Sequence, residues 1–414
     1  MSLGRTIQSP AEPVSGEPGA GRGGLKGAGL TGGGFRLRLD PLLLLAVLGL
    51  SACSLVTIRS ATVDDIPGDP TYYVVRQAAY VVAGLVLMYA VSRLDYSRLR
   101  ELKFPIYGLL LGSLALTLLL ATATRGSKAW IDLPFFRLQP SEPGKVLLVL
   151  ALSGFLVDRM RRFDRETTAR MLLLGLLPIM LVMAEPDLGT SLVYIAGVLA
   201  LLFVAGAPWR HFASLGALAV AAVAITLVAL PAAGVQVLEP YQTARLTSFL
   251  DPSSSGTPGK AGYQQEQSKI AIGSGEKTGR GVENATQTSL NFLPEHHTDF
   301  IYASVGETYG FAGAALVLSL YALLIWRGLH ILTVAKNLYG ALIAGGITVM
   351  LLFQLFVNIG MNVGIMPITG VPAPLLSYGG SSMLATFLAM GLLQSISAQG
   401  RETSAAKGRA PLFQ

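Results

Sequence analysis

The stretch RMLLLGLLPIMLVMAEPDLGTSLVYIAGVLALLFVAG, from Arg170 to Gly206, decides the fold class. It holds two apolar runs, 170–184 and 188–206, separated by Glu185, Pro186 and Asp187. Crossing the hydrocarbon core of a bilayer takes about 20 apolar residues in a helix, with a range of roughly 17–25. Two carboxylates would be costly at the middle of a membrane, but they suit a tight turn at its surface. The stretch therefore reads as two membrane helices joined at one face. Further apolar runs lie at about 41–58, 76–92, 105–123, 143–158, 212–232, 302–326, 339–363 and 378–397. The expected fold is an all-α polytopic membrane protein with about ten transmembrane helices.

Composition agrees. Of 414 residues, 52% are hydrophobic and only 13% charged, against about a quarter charged in soluble proteins. Mean hydropathy is +0.55. So little charge cannot clothe a soluble enzyme of this length, and the apolar content excludes disorder or a coiled coil. The 47 glycines suit closely packed membrane helices. The formal charge is +7, but no basic stripe with interleaved aromatics suggests nucleic acid. The single cysteine, Cys53, excludes a disulfide framework and a cysteine metal site.

Positive charge collects in alternate loops: Arg93, Arg98, Arg100 and Lys103; Arg159, Arg161, Arg162, Arg165 and Arg170; Arg210; Arg327 and Lys336. By the positive-inside rule these loops, and both termini, are cytoplasmic. The intervening loop at 59–75 carries Asp64, Asp65 and Asp69. Residues 1–40, rich in Gly, Ser and Pro, read as a disordered cytoplasmic tail without a signal-peptide core. Residues 41–397 form the membrane domain, and 398–414 a cytoplasmic C-terminal tail. One long extracytoplasmic loop, about 233–301, joins spans seven and eight. Its second half, from Tyr263 to Asp299, is dense in Gln, Gly, Asn and charge and is expected to form short helices against the bundle.

Polar groups that could carry chemistry gather at the outer face. Arg137-Leu-Gln-Pro-Ser-Glu142 leads into span four, with Lys145 one turn on. Glu142 and Lys145 share a helix face at i, i+3 and can pair, either as an anchor or as the lining of a cavity. Ser141 is a candidate cap. Asp187 is a candidate cap for the helix that follows it. Gln354, Asn358 and Asn362 form one polar stripe toward the bundle, suited to hydrogen bonds between helices. The proline- and glycine-rich loop 367–380 must be shielded by protein if it lies at membrane depth. Asp299 sits where the long loop re-enters the membrane, either as a cap for span eight or as a base at its surface. His296 and His297, with Glu295 and Asp299, give a weak zinc signal because adjacent histidines diverge. A hard cation held by Asp299 and a substrate phosphate fits better.

The ordered motifs resemble the SEDS family (shape, elongation, division and sporulation). They are Arg137–Glu142 with Lys145; Pro186-Asp-Leu-Gly-Thr190; Arg245 with Phe249-Leu-Asp-Pro252; Tyr263-Gln264 with Gln267-Ser268; Ile270–Gly275; Asn291-Phe-Leu-Pro-Glu295; His297-Thr-Asp-Phe-Ile301; Asn358–Asn362; and Leu376–Ser382. The stretch from Thr286 to Leu293 looks like the rod-shape branch and not the division branch. The resemblance implies a bacterial inner-membrane peptidoglycan glycosyltransferase that polymerises lipid II, releasing polyprenyl diphosphate. It also implies a class B penicillin-binding protein as partner. On the same ground Asp299 is the essential acid, with Glu142 and Lys145 as the cavity pair. Arg137, Arg245, Lys269, Arg280, Gln264 and Ser377 are then assigned to substrate, and Asp187, Asn358 and Asn362 to polar structure. Metal is expected, if anywhere, at Asp299, as Mg or Mn.

Several positions depart from the family pattern. They are Thr243 where a basic residue is frequent, Pro143-Gly144 expected to kink or loosen span four, Glu276-Lys277 in a glycine-aromatic turn, Glu185 where Gln is common, and Glu307-Thr308 for an acidic pair. A lipid II flippase and a non-catalytic scaffold for the transpeptidase stand as alternative readings, since intramembrane polar groups also suit transport.

Overall fold

The structure is a computed structural model that describes residues 39–63, 65–120, 129–132, 137–159, 164–226, 231, 261–290 and 292–409. Its helices are α1 (Pro41–Ala61), α2 (Tyr72–Ser92), α3 (Lys103–Leu120), α4 (Ser141–Val157), α5 (Arg165–Ala184), α6 (Leu188–Val204), α7 (Trp209–Ala224), α8 (Ala261–Ser274), α9 (Thr286–Ser289), α10 (Ile301–Val334), α11 (Leu338–Val363) and α12 (Gly380–Arg409). A two-residue antiparallel ladder, β1 (Ile131–Asp132) with β2 (Arg137–Leu138), lies between α3 and α4.

Ten of these helices fall on the ten apolar runs, and among the described residues seven are long and apolar enough to cross a membrane. The last run extends well beyond 397, since α12 continues to Arg409. Packing likewise begins before 41. Asp40 is fully buried, although the sequence places it in the tail; residues 1–38 of that tail lie outside the described residues.

The helix starts follow from short polar side chains that accept the orphan backbone donors of a first turn. Asp40 Oδ1 accepts from Leu43 N at 3.2 Å, with Pro41 at the first helical position. Asp164 does the same for Thr167, Asp187 for Thr190 and Asn337 for Gly340, at 2.8, 2.9 and 2.8 Å. Ser141 is not a cap: α4 is preceded by Pro140, which makes no side-chain cap. Nor does Pro143 kink α4, because it occupies the first turn, where the missing donor is not needed. Gly144 admits Tyr194 from α6: a Cβ there would meet the Tyr194 hydroxyl at 2.2 Å. That hydroxyl donates to the Ser141 carbonyl at 3.0 Å.

Helices α11 and α12 are the centre of the bundle; α3 is a peripheral wall. α12 packs on α2, α11 on α6, and α10 on both α1 and α11. Small residues set the close approaches, as membrane helices require: Gly84 faces Phe387, and Gly346 faces Val149 and Leu201. Outward side chains such as Leu119 of α3 and Phe203 of α6 remain exposed and apolar, a surface matched to lipid.

Helix α10 is broken at Gly310, whose φ of 63° and ψ of −160° are not helical. The turn after α8 fits into the break. Arg280 N and Gly281 N donate to the carbonyls of Glu307 and Thr308 at 2.9 and 3.1 Å, while Phe311 N and Ala312 N donate to Glu276 and Lys277 at 2.9 and 3.2 Å. Four of the backbone groups that the break would strand are thus re-paired. Only glycine fits: a Cβ at Gly310 would lie 2.3 Å from Gly279 N. Gly310→Ala is expected to destabilise the fold by at least about 1–3 kcal/mol from backbone strain alone. Thermal unfolding in detergent measures this, and an unchanged melting temperature would refute the account.

Candidate functional site at one end of the bundle

The segment entering α10 carries Asp299, and three successive carbonyls fix it. Tyr378 N donates to the His297 carbonyl at 2.9 Å. Ser377 Oγ donates to the Thr298 carbonyl at 2.6 Å. The Nδ2 groups of Asn358 and Asn362 both donate to the Asp299 carbonyl, at 3.0 and 3.1 Å. Asn362 also accepts from Ala303 N at 3.1 Å, satisfying a first-turn donor of α10. The N-cap position of α10 falls on Phe300, so the capping position is not Asp299's. The Asp299 carboxylate lies beside Gly370: a Cβ at that glycine, whose φ is +75°, would sit 3.6 Å from Asp299 Oδ2.

Glu142 and Lys145 form an ion pair at 2.7 Å, with side-chain exposures of 3% and 8%. They line a cavity of about 30 Å³ with Gln354 of α11 and Thr386 of α12 among its other walls. A water needs roughly 10–15 Å³, so this space admits a water or two and no sugar. Asp187 lies close enough for Glu142 and Lys145 to act on its carboxyl electrostatically. Its Oδ2 accepts from Gln139 Nε2 at 3.0 Å, which ties the start of α4 to the start of α6.

The other residues assigned to substrate are placed as follows. Arg137 is exposed and pairs with Asp132 at 2.9 Å across the β1–β2 ladder. Lys269 is exposed on α8, its aliphatic stem beside Gly364. Arg280 is exposed, its Nε donating to the Ser274 carbonyl at 3.1 Å. Gln264 is half-buried; its neighbour Gln265 is the one that binds the bundle, through the carbonyls of Met361 and Met366 at 3.2 and 2.7 Å. Ser377 is buried and its hydroxyl also accepts from Ala373 N at 2.8 Å, so it holds the loop and the Asp299 segment together. Arg245 and Asn291 lie outside the described residues.

Sequence reasoning missed Gln77 and the role of Glu307. Gln77 on α2 is fully buried and donates to Ser54 Oγ at 3.0 Å and to the Ser377 carbonyl at 3.2 Å. Its signal was a lone amide inside an apolar run. Glu307 accepts from Gln287 N, Thr288 N and Thr288 Oγ1 at 2.8, 3.0 and 2.6 Å, which fastens α9 to α10. Among the described residues, the one grouping of three ligand-type side chains is Asp65, His296 and His297; it includes neither Asp299 nor Glu295.

Residues 39–402 match the family described as Cell cycle protein, FTSW_RODA_SPOVE. The chain is 37% identical over 364 residues to the peptidoglycan glycosyltransferase MrdB of Escherichia coli (strain K12), covering 87% of this chain and 94% of that one. It is 42% identical over 373 residues to the probable peptidoglycan glycosyltransferase FtsW of Thioalkalivibrio sulfidiphilus, covering 86% and 88%. Its fold is similar to a chain of a solved peptidoglycan synthase complex that coordinates polymerization and crosslinking. The TM-score there is 0.74, with 32% identity and coverage of 88% and 99%.

Two outcomes follow from the buried charges. Lys145→Ala leaves Glu142 buried without its cation and is expected to cost about 3–5 kcal/mol. Thermal unfolding should show the Glu142→Ala, Lys145→Ala double variant losing less than the two single changes together; strict additivity would deny the coupling. Glu185 is fully buried, and burial, then the neighbouring Asp187, pushes its carboxyl up to about 8. The folded state therefore holds this proton more tightly than the unfolded chain. Its contribution to stability is full below the ordinary value of 4.5, falls as pH rises, and is lost as pH passes about 8. Each pH unit of displacement is worth about 1.4 kcal/mol. Glu185→Gln, which mimics the protonated carboxyl, is expected to flatten this fall; an identical pH dependence of melting would overturn the assignment.

Proposed function

The chain belongs to the FTSW_RODA_SPOVE family of cell cycle proteins, and from that premise we propose that it polymerises lipid II into glycan strands as a peptidoglycan glycosyltransferase of the bacterial inner membrane. The observation that carries this is the placement of Asp299: a carboxylate at the entry of a membrane helix, its backbone fixed through three consecutive carbonyls. Inverting glycosyl transfer needs such a fixed base, and pre-organisation by surrounding hydrogen bonds keeps it aimed.

In the reaction, the 4-hydroxyl of the acceptor sugar attacks the anomeric carbon of the lipid-linked donor. Asp299 takes the hydroxyl proton as the new C–O bond forms. The bond to the diphosphate breaks, and the polyprenyl diphosphate leaves with the electron pair. Lys145, Arg245, Lys269 and Arg280 are the cations assigned to offset its charge, and Arg137 and Gln264 are assigned to substrate. A divalent cation, Mg or Mn, would draw on the Asp299 carboxylate and on substrate phosphate oxygens, the hard ligands such ions prefer. The cavity beside Glu142 must widen before it can accept a sugar. The end of the bundle bearing Asp299 is assigned to the extracytoplasmic side, and the Asp40 end to the cytoplasm, by the distribution of Lys and Arg. The stretch 286–293 favours the elongation branch. Similarity to a chain of a peptidoglycan synthase complex supports a class B penicillin-binding protein as partner.

Labelled lipid II given to the purified protein with its partner tests the assignment. Asp299→Asn is expected to lower polymer formation by about 10²–10⁴-fold, the usual contribution of a positioned base, with an unchanged melting temperature. Polymer made at the wild-type rate by that variant would sink the catalytic role. Lipid II moving across liposomes with no polymer under any condition would favour transport.

A further inference from the structure

Asp65, from the turn after α1, meets His296 and His297, from the segment before α10. His296 Nε2 lies 3.2 Å from Asp65 Oδ2, and His297 Nδ1 lies 3.7 Å from the same oxygen. One ligand atom from each residue falls within 4.8 Å of the others. Side-chain exposures are 11%, 3% and 16%, so the cluster is enclosed but reachable.

The chemistry of the His296 ring sharpens this. Its Nδ1 lies 3.0 Å from the Leu293 carbonyl, an acceptor only, so Nδ1 carries the hydrogen. The neutral ring then directs the Nε2 lone pair at the Asp65 carboxylate, which also offers lone pairs. The Nε2 lone pair and the Asp65 oxygen, 3.2 Å apart, converge on a point that a cation would satisfy. A ring fixed through Nδ1 to a backbone carbonyl is also how metal-binding histidines are commonly oriented. The His297 ring is held in place by Tyr73 and Tyr378, with ring centroids at 4.6 and 5.7 Å.

We propose that Asp65, His296 and His297 form a binding site for a zinc-class divalent cation. Two imidazoles and one carboxylate are a borderline-soft set that favours Zn²⁺, Co²⁺ or Ni²⁺ over Mg²⁺. Three protein ligands leave a fourth position of a tetrahedral site open to water. The ion clamps the turn after α1 to the segment that carries Asp299. The site is distinct from a hard cation at Asp299 and does not depend on the reaction proposed above.

The full chain, purified in detergent through a tag without histidine and stripped with chelator, is titrated with Co²⁺. The expected result is one equivalent bound, with visible d–d bands of a four-coordinate site that excess Zn²⁺ removes and excess Mg²⁺ leaves. Asp65→Asn, His296→Gln and His297→Gln should each weaken Co²⁺ binding by more than the roughly 10–100-fold that loss of an outer-shell partner costs. His330→Gln, on α10 away from the cluster, should not. Zn²⁺ should raise the melting temperature of the wild type; His296→Gln should keep a cooperative melting transition, which shows it folded, and Zn²⁺ should not move it. Absence of the bands at one equivalent, or their persistence in His296→Gln and Asp65→Asn, would overturn the site and leave a simple imidazolium–carboxylate contact.

Discussion

The arrangement of the candidate site depends on the clamping of the carbonyls of residues 297–299. A backbone oxygen shielded from water and left without a donor costs free energy comparable to a lost hydrogen bond. The chain solves this with side-chain amides in place of secondary structure. Asn358 and Asn362 stand one helical turn apart on α11 and converge on a single oxygen. Asn358 also holds the Val371 carbonyl at 2.8 Å, and Ser377 answers from the other side of that loop. One helix, one irregular loop and the entry to α10 thereby become a single rigid body. The position of the Asp299 carboxylate follows from it.

The opposite end of the bundle is closed by charge. The buried Asp40 carboxylate receives Arg327 of α10 and Arg401 of α12, while Gln394 Oε1 accepts from Asp40 N at 2.6 Å. Asp40 caps α1 through its other oxygen. The same residue starts one helix and ties two others to it, so its burial is matched by more than one partner, as buried ions require. The bundle is thus fastened by a carboxylate network at one end and by amide–carbonyl bonds at the other.

Much of this was legible in the chain. The ten apolar runs fell on ten helices because a membrane helix has to bury nearly every residue along some 20 positions, and no other local pattern does that. The Gln354–Asn358–Asn362 stripe could be read from its four-residue spacing, and the Glu142–Lys145 pair from i, i+3. What could not be read was what each polar group faces. Ser377 stood in a motif that suggested ligand contact, yet it faces backbone. Asp65 looked like one of three loop acids, and its meeting with His296 comes from the packing of α1 against α10, which leaves no trace in either local sequence. Gly310 sat within an apolar run that reads as one uninterrupted helix, since the loop that breaks it is about 30 residues upstream.

That break divides α10 into two mechanically different pieces. The first, from Ile301 to Tyr309, is knitted to α8, α9 and the turn between them through backbone bonds and Glu307. The second, beyond Gly310, belongs to the bundle through α1 and Arg327. The first piece is also bolted to α11 through Asn358 and Asn362, so the break lets α11, and not the rest of α10, set the direction in which the Asp299 segment enters the bundle.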